Sequence, residues 1–278
     1  MTTPLPHGLG CRPDLRDRRD DAHAYHPVKR PLVANCYFDQ DGRLAGPAVR
    51  DPVVDLRPRF GPPRDQEQTS SCVGFACAAA VEFLFHDVAP LSAWWAYFWA
   101  RLREDCASWD AGCSIRDCLK EIHKRGIPPE VFFPFKPSLF AAMPCTTFPT
   151  QAEFDAAYKA GTTASEKDPI WIAAKVLAGC SYHRVRTHHI VDCLAEGFPV
   201  VAGIPCYPSM FTEEVERTGI IPMPGDEGPV GGHAILVVGT YEDQYIFRNS
   251  WNGWGDGGNG YLPQGYEIMD AWTVRKPE

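Results

Sequence analysis

Apolar residues recur with a helical period between about residues 72 and 125, then gather in short strand-like runs beyond residue 187. Phe75, Ala79 and Phe83 stand at i, i+4 and i+8, the stripe of a buried helix, and Ser70 or Ser71 offers an N-cap that starts the helix at Cys72. Pro90 is expected to stop it. Ser92 caps a second helix through Trp94, Trp95, Phe98 and Trp99, whose tryptophans on both sides imply burial between two lobes. Ser114 caps a third, with Ile115, Cys118, Leu119 and Ile122 on one face and Gly126 followed by Pro128 and Pro129 at its end.

A short helix follows Thr187 and closes at Gly197. Apolar runs at 199–204, 234–239 and 245–247, separated by Gly- and Pro-rich connectors, read as strands. Residues 1 to about 50 are polar and proline-punctuated, with only a short strand suggested near 32–38. The pattern divides the chain into an N-terminal arm over 1–51 and a body over 52–278. The body is mainly helical over 52–167 and mainly β over 168–278, an α+β arrangement with a cleft between the halves as the natural site.

Composition narrows the classes. The chain has 278 residues, 45% hydrophobic and 22% charged, with a formal net charge of -8. Its dense basic run, Arg12 to Arg19, is interleaved with Asp14 and Asp17, which argues against a nucleic-acid partner. No stretch approaches the roughly 20 apolar residues that span a bilayer, so no membrane partner is expected. The N-terminus lacks an apolar signal core. Eleven cysteines are scattered over a chain large enough to need no staples, and the expectation is a cytoplasmic protein with reduced, buried thiols, leaderless export being the alternative.

Three residues carry candidate chemistry. Cys72 lies in RDQEQTSSCVGFACAAAVEF, His233 in GGHAILVVG, and Asn249 opens NSWNGWG sixteen positions later. A thiol attacks a carbonyl as thiolate, so it needs a base beside it and a group that orients the base. A helix N-terminus at Cys72 favours the thiolate through unpaired N–H groups, and an imidazolium favours it more. Taken singly, Cys72 reads equally as an inert buried thiol, His233 as a strand-end histidine and Asn249 as a turn residue.

The segments VVDLRP, DQ-x5-C-x-x-F, GCSIRDCLKEIHKRGIPPE, EGFPVVAGI, GGHAILVVG and RNSW, in this order from about residue 52, resemble a papain-like cysteine peptidase of the bacterial type. The resemblance implies a papain-like two-lobe fold and hydrolysis of peptide or isopeptide bonds through an acyl-thioester, with no cofactor and no metal. Cys72 would be the nucleophile, His233 the base and then the acid, Asn249 the orienter, and Gln66, preferred to Gln68, the oxyanion donor. Trp251 would shield the Asn249–His233 hydrogen bond and border the substrate. Gly112 would pair its backbone with an extended substrate or serve as a plain turn; Gly203 and Gly232 would shape a subsite or meet backbone needs. Glu67 stands where the family usually has glycine, and Thr69 where secreted relatives have a disulfide cysteine.

Alternatives within this frame are acyl transfer to an amine and a catalytically inactive binding module. The arm is long enough over 4–49 to cross the cleft as a permanent or removable strap. Cys106, Cys113, Cys118 and His123 lack the spacings of zinc sites, and His188, His189 and Cys193, though His189 and Cys193 are a helical turn apart, offer too few ligands. Trp254 has no assigned place, and Glu213, Glu214 and Glu216 read as a solvated loop.

Overall fold

The helical and sheet-forming halves of the sequence come together around one continuous apolar core. The computed structural model describes residues 7–15, 17–21, 24–27, 37–38, 44–45, 54–85, 88–107, 109–135, 173–175 and 178–276. The expected boundary at 167/168 lies outside these residues, as does most of the expected strand near 32–38. Of that strand, Tyr37–Phe38 (β2) pairs with Leu44–Ala45 (β3).

Helix α1 spans Cys72–Leu84 and is buried almost all round, not along a stripe. It is sandwiched between α2 (Ala93–Arg103) and α3 (Ile115–Arg125) on one side and the main sheet on the other. Small residues make this possible: a Cβ at Gly74 would press on Tyr97 and overlap the Ala93 carbonyl where α1 crosses α2. Ser71 occupies the N-cap but its side chain caps nothing; its Oγ bonds Thr69 Oγ1 at 2.6 Å. The helix also ends well before Pro90, with the Phe85 N–H on the Glu82 carbonyl. Pro90 instead sits in a turn-back, its carbonyl accepting from the Glu130 N–H, while the Glu82 carboxylate accepts from the Leu91 N–H.

Ser92 and Ser114 cap α2 and α3 as expected, accepting from Trp95 N–H and Asp117 N–H, each cap adding about 1 kcal/mol. The tryptophans of α2 are buried inside the helical half, not between halves. Trp95 donates to the Gly126 carbonyl and packs on Trp99 and Phe133, and Trp94 packs on Phe135.

The second half builds an antiparallel sheet in the order β5 (Ser181–Arg184), β10 (Asp270–Arg275), β6 (Val200–Cys206), β7 (Gly231–Tyr241), β8 (Gln244–Arg248), β9 (Asn259–Pro263). The run AILVV makes β7 a strand buried on both faces, with a bulge between Val237 and Gly239. At Gly239 the Val54 carbonyl approaches too closely for a side chain, and Asp55 bridges there, seating the start of the body on the sheet. Helix α4 (Ile190–Ala195) packs behind β6 and β7. Glu213, Glu214 and Glu216 belong not to a loop but to α5 (Glu213–Thr218), capped by Thr212. Acidic residues in a first turn suit the helix dipole.

The described part of the arm is integrated into the body. Cys11–Arg12 (β1) pairs in parallel with Cys113–Ser114 (β4), and Asp14, Asp20 and Tyr25 bond to α3, β5 and β10.

Candidate active site

Cys72 is wholly buried at the first position of α1, facing the start of β7. Burial pushes the Cys72 thiol up to about 11, against the polarity of the nearby Ala234, Gly10 and Val73 backbone, which favours a thiolate. His233 is the neighbour of Ala234 on β7, and is also fully buried. Its Nε2–H donates to Asn249 Oδ1 at 2.8 Å. That bond sets the tautomer, and Nδ1, buried with no hydrogen-bond partner, is left as the basic nitrogen. Desolvation holds the imidazole down to about 4. The covered site therefore holds a neutral thiol and a neutral imidazole, with no hydrogen bond between them among the described residues.

Asn249 Oδ1 also accepts from the Ser250 N–H at 2.8 Å, so the orienting oxygen is itself held. Trp251 stacks on His233 at 4.4 Å between ring centroids, closing the imidazole from water. A dry environment strengthens the His233–Asn249 bond. Trp254 lies edge-on to Trp251 and against Phe247, not over the histidine.

Gln66 is buried beside this group. Its Oε1 accepts from the Ser250 hydroxyl at 2.5 Å, and its Nε2 donates to the Thr69 carbonyl at 2.6 Å and the Gly8 carbonyl at 3.0 Å. Gln68 is exposed. The amide thus faces a carbonyl oxygen presented by the arm. Ser250, which fixes the amide's orientation, has no role in the sequence reading; its only signal is its place between Asn249 and Trp251.

The remaining predicted residues line the path of the arm. The Gly10 N–H donates to the Gly232 carbonyl at 3.0 Å, and the Cys113 N–H to the Gly10 carbonyl at 2.9 Å. A Cβ at Gly112 would overlap the Gly10 carbonyl, and one at Gly232 the Cys11 carbonyl; one at Gly203 would meet Cys11 Sγ at 3.0 Å. These glycines are therefore places of close backbone approach. One expectation needs correction. Gly112's own N–H turns inward to the Tyr97 hydroxyl at 3.0 Å, and the extended pairing is made by Cys113–Ser114. With φ of 68°, Gly112 has the left-handed backbone that directs its N–H that way.

His7 completes the cover, stacking on the outer face of Trp251 at 4.4 Å. The supposed metal candidates are engaged elsewhere: His123 Nδ1 lies 3.0 Å from the Cys180 carbonyl, and His189 Nδ1 2.9 Å from Asp192.

The chain is similar over its whole length to xylellain, a cysteine protease from Xylella fastidiosa, with 28% identity and a TM-score of 0.79, covering 99% of that chain. Over 261 residues it is 29% identical to an uncharacterized peptidase C1-like protein of Acanthamoeba polyphaga mimivirus, spanning 83% of this chain and 76% of the relative. The fold is shared with digestive procathepsin L 3 of Tenebrio molitor, at 18% identity and a TM-score of 0.60, covering 97% of this chain and 76% of that one. It is also shared with a Carica candamarcensis cysteine protease in complex with E-64, at 20% identity and a TM-score of 0.56, covering 81% and 99%. No family model matches the chain.

Proposed function

We infer that this chain is a papain-like cysteine peptidase, hydrolysing peptide bonds in peptide or protein substrates through a thiol nucleophile, a reading supported by its similarity to xylellain and to a peptidase C1-like protein. The observation that carries the residue assignment is the buried imidazole of His233, anchored at Nε2 by Asn249 and with no partner at Nδ1 among the described residues, on the strand that packs against the helix opened by Cys72.

In the reaction we propose, His233 Nδ1 takes the Cys72 proton and the sulfur attacks the scissile carbonyl carbon. The carbonyl π pair moves to oxygen, where Gln66 Nε2 donates to the oxyanion without carrying a charge that would compete for the thiolate. Collapse expels the amine, protonated by His233, and leaves an acyl-thioester. Water, deprotonated by the same nitrogen, attacks the thioester carbon; the acid departs and Cys72 recovers its proton. Asn249 keeps the ring in one orientation through both transfers, and Trp251 excludes water from that bond.

The same reading makes residues 7–12 an inhibitory strap. The Gly8 carbonyl takes the donor that an oxyanion needs, and Gly10 and Cys11 fill the groove between the Cys113 edge and Gly203 and Gly232. Sealing the groove also removes the water that a thiolate–imidazolium couple needs before substrate arrives, in line with the raised thiol and lowered imidazole.

The test is labelling by an epoxide such as E-64 or by iodoacetamide at mildly acidic pH, with peptide mapping and a fluorogenic peptide assay. Burial pushes up the thiols of Cys11, Cys77, Cys113, Cys180, Cys193 and Cys206, and the hydrogen bond with Cys77, followed by burial, pushes up that of Cys118, so these seven stay protonated there. Selective modification of Cys72, lost together with hydrolysis in His233→Ala, is the expected result. Uniform labelling of many cysteines only above about pH 8, with no hydrolysis by a chain whose arm has been displaced, would overturn the proposal.

A further inference from the structure

The short loop over residues 66–71 leads into the nucleophile, and the N-cap side chain of α1 gives the helix start no support. Two anchors hold this loop. On its inner side Thr69 Oγ1 donates to the Gln66 carbonyl at 2.7 Å and the Thr69 N–H bonds the same oxygen at 3.2 Å. On its outer side the Ser70 N–H, two residues before Cys72, donates to Asp110 Oδ2 at 2.9 Å.

Asp110 belongs to the connection between α2 and β4, and its other oxygen is also committed. Oδ1 accepts from the Tyr97 hydroxyl at 2.5 Å, and that hydroxyl accepts from the Gly112 N–H at 3.0 Å. Tyr97 is wholly buried on α2. Burial drives its phenol well above the ordinary tyrosine value, so it stays a neutral donor. Arg101, also buried, stacks its guanidinium 4.1 Å over the Tyr97 ring and donates to the Trp109 carbonyl at 2.6 Å, holding both the phenol and the Asp110 connection. One carboxylate and one phenol therefore tie three segments: the loop before the nucleophile, α2, and the glycine that opens the pairing edge.

We propose that Asp110, oriented by Tyr97, is a positioning residue for the Cys72 nucleophile, holding the loop before it in register with the Gly112–Cys113 edge. The proposal rests on the peptidase reading for its purpose, but on the hydrogen bonds alone for its geometry. A charge-assisted bond from a carboxylate is stronger than one from a neutral oxygen, which suits a loop whose helix cap is absent. The arrangement has a counter-effect. The Asp110 charge lies close enough to Cys72 to raise its thiol, so the site accepts a less acidic nucleophile in exchange for a fixed one.

The two effects separate experimentally. Iodoacetamide alkylation of Cys72 is followed by peptide mass from pH 4 to 9, in the full-length protein and in the same full-length chain carrying Gly10→Val to open the cleft. Hydrolysis of an extended peptide is followed in parallel. Asp110→Asn removes the charge and leaves one of its two donors unmatched. The expected result is a lower pH midpoint for alkylation with a roughly tenfold lower kcat. Tyr97→Phe keeps the charge and the packing: the midpoint stays, kcat falls a few-fold, and KM for extended peptides rises as the Gly112 N–H loses its acceptor. A purely structural role would lower the melting temperature and the fraction of reactive Cys72, with the midpoint and the per-site rate unchanged in both variants. That outcome overturns the proposal. If the parent alkylates at Cys72 but hydrolyses no peptide, the peptidase reading fails while the alkylation midpoints still decide the role of Asp110.

Discussion

Residues 7–12 of the arm enter the cleft mainly through backbone groups, whereas Asp14 and Asp20 lie outside it in a buried net of charges. In the cleft the contacts are the Gly8 carbonyl on Gln66, Gly10 between the Gly232 carbonyl and the Cys113 N–H, and the short parallel pair of Cys11–Arg12 with Cys113–Ser114. Outside, Asp14 accepts from the Arg116 N–H and from Trp272 Nε1, and the Asp14 N–H donates to Asp270. Asp20 accepts from Arg116 and Arg184, both at 3.0 Å, and Arg184 also bonds Asp270. Backbone contacts at glycines depend on fit and vanish with one added methyl. A buried ionic net resists removal because each broken link leaves a charge without its partner. From this contrast we expect the cleft segment to open more readily than the downstream segment, which would stay as an anchor.

The largest expected effect comes from making the cleft segment too large. A Cβ at Gly10 would overlap the Ser70 carbonyl, so Gly10→Val in the full-length chain should expel residues 7–12. Overpacking of about 3 kcal/mol corresponds to about a hundredfold faster labelling of Cys72 and peptide hydrolysis, read in a rate assay. No rate increase would show that the cleft segment is not the barrier.

Breaking the anchor should act on stability instead. Asp20→Asn leaves Arg116 and Arg184 short of a carboxylate, and a loss of about 3 kcal/mol is expected by denaturant titration. Cys72 labelling of the folded protein should change far less than in Gly10→Val. If it rises as much, the two stretches of the arm act as one unit.

His7 sharpens the comparison through pH. Burial in the docked arm lowers its imidazole below the free value of 6.5, with Glu216 and Asp65 opposing, so the docked state binds fewer protons than the released one. Docking is therefore fullest above pH 6.5 and weakens as the pH falls below it, levelling off once His7 is protonated in both states. Labelling of Cys72 by an epoxide should accelerate over that window. His7→Ala should remove this acceleration and, through loss of the Trp251 stack at about 1 kcal/mol, give a roughly fivefold higher rate at pH 8.

The smallest effect tests the loop on which the cleft segment rests. Glu67 has φ of 49°, a left-handed backbone that costs most side chains free energy. Glu67→Gly should stabilise the protein by about 0.5–1 kcal/mol in thermal unfolding without moving the ratio of arm-open to arm-closed labelling.

Much of the helical half was legible because its signals are local. Ser92 and Ser114 sit one residue before the helices they cap, and Gly126 closes α3 with a φ of 74°. The end of α1 was misread, since the turn after it depends on Glu82 reaching Leu91 and on pairing with residues 128–130. In the sheet the apolar core of β7 stood out. Edge strand β9 and strands β5 and β10 did not, because their partners are distant in sequence and their alternation is short.

For the site, Cys72, His233, Asn249 and Gln66 were legible only jointly, through the order and spacing of the segments that carry the family resemblance, since taken singly each reads as an ordinary structural residue. The amino-acid order by itself determined which groups are available and on which kind of element each sits. Only the tertiary structure decided that Ser250 holds Gln66, that Tyr97 and Asp110 bond the nucleophile loop, and that Gly8 and Gly10 of the arm press on the loop before Cys72. The physical reason is range. Caps and periodicity act over a few residues of chain, whereas these contacts form between segments brought together by burial of a common core, and nothing in a residue's immediate sequence encodes its distant partner.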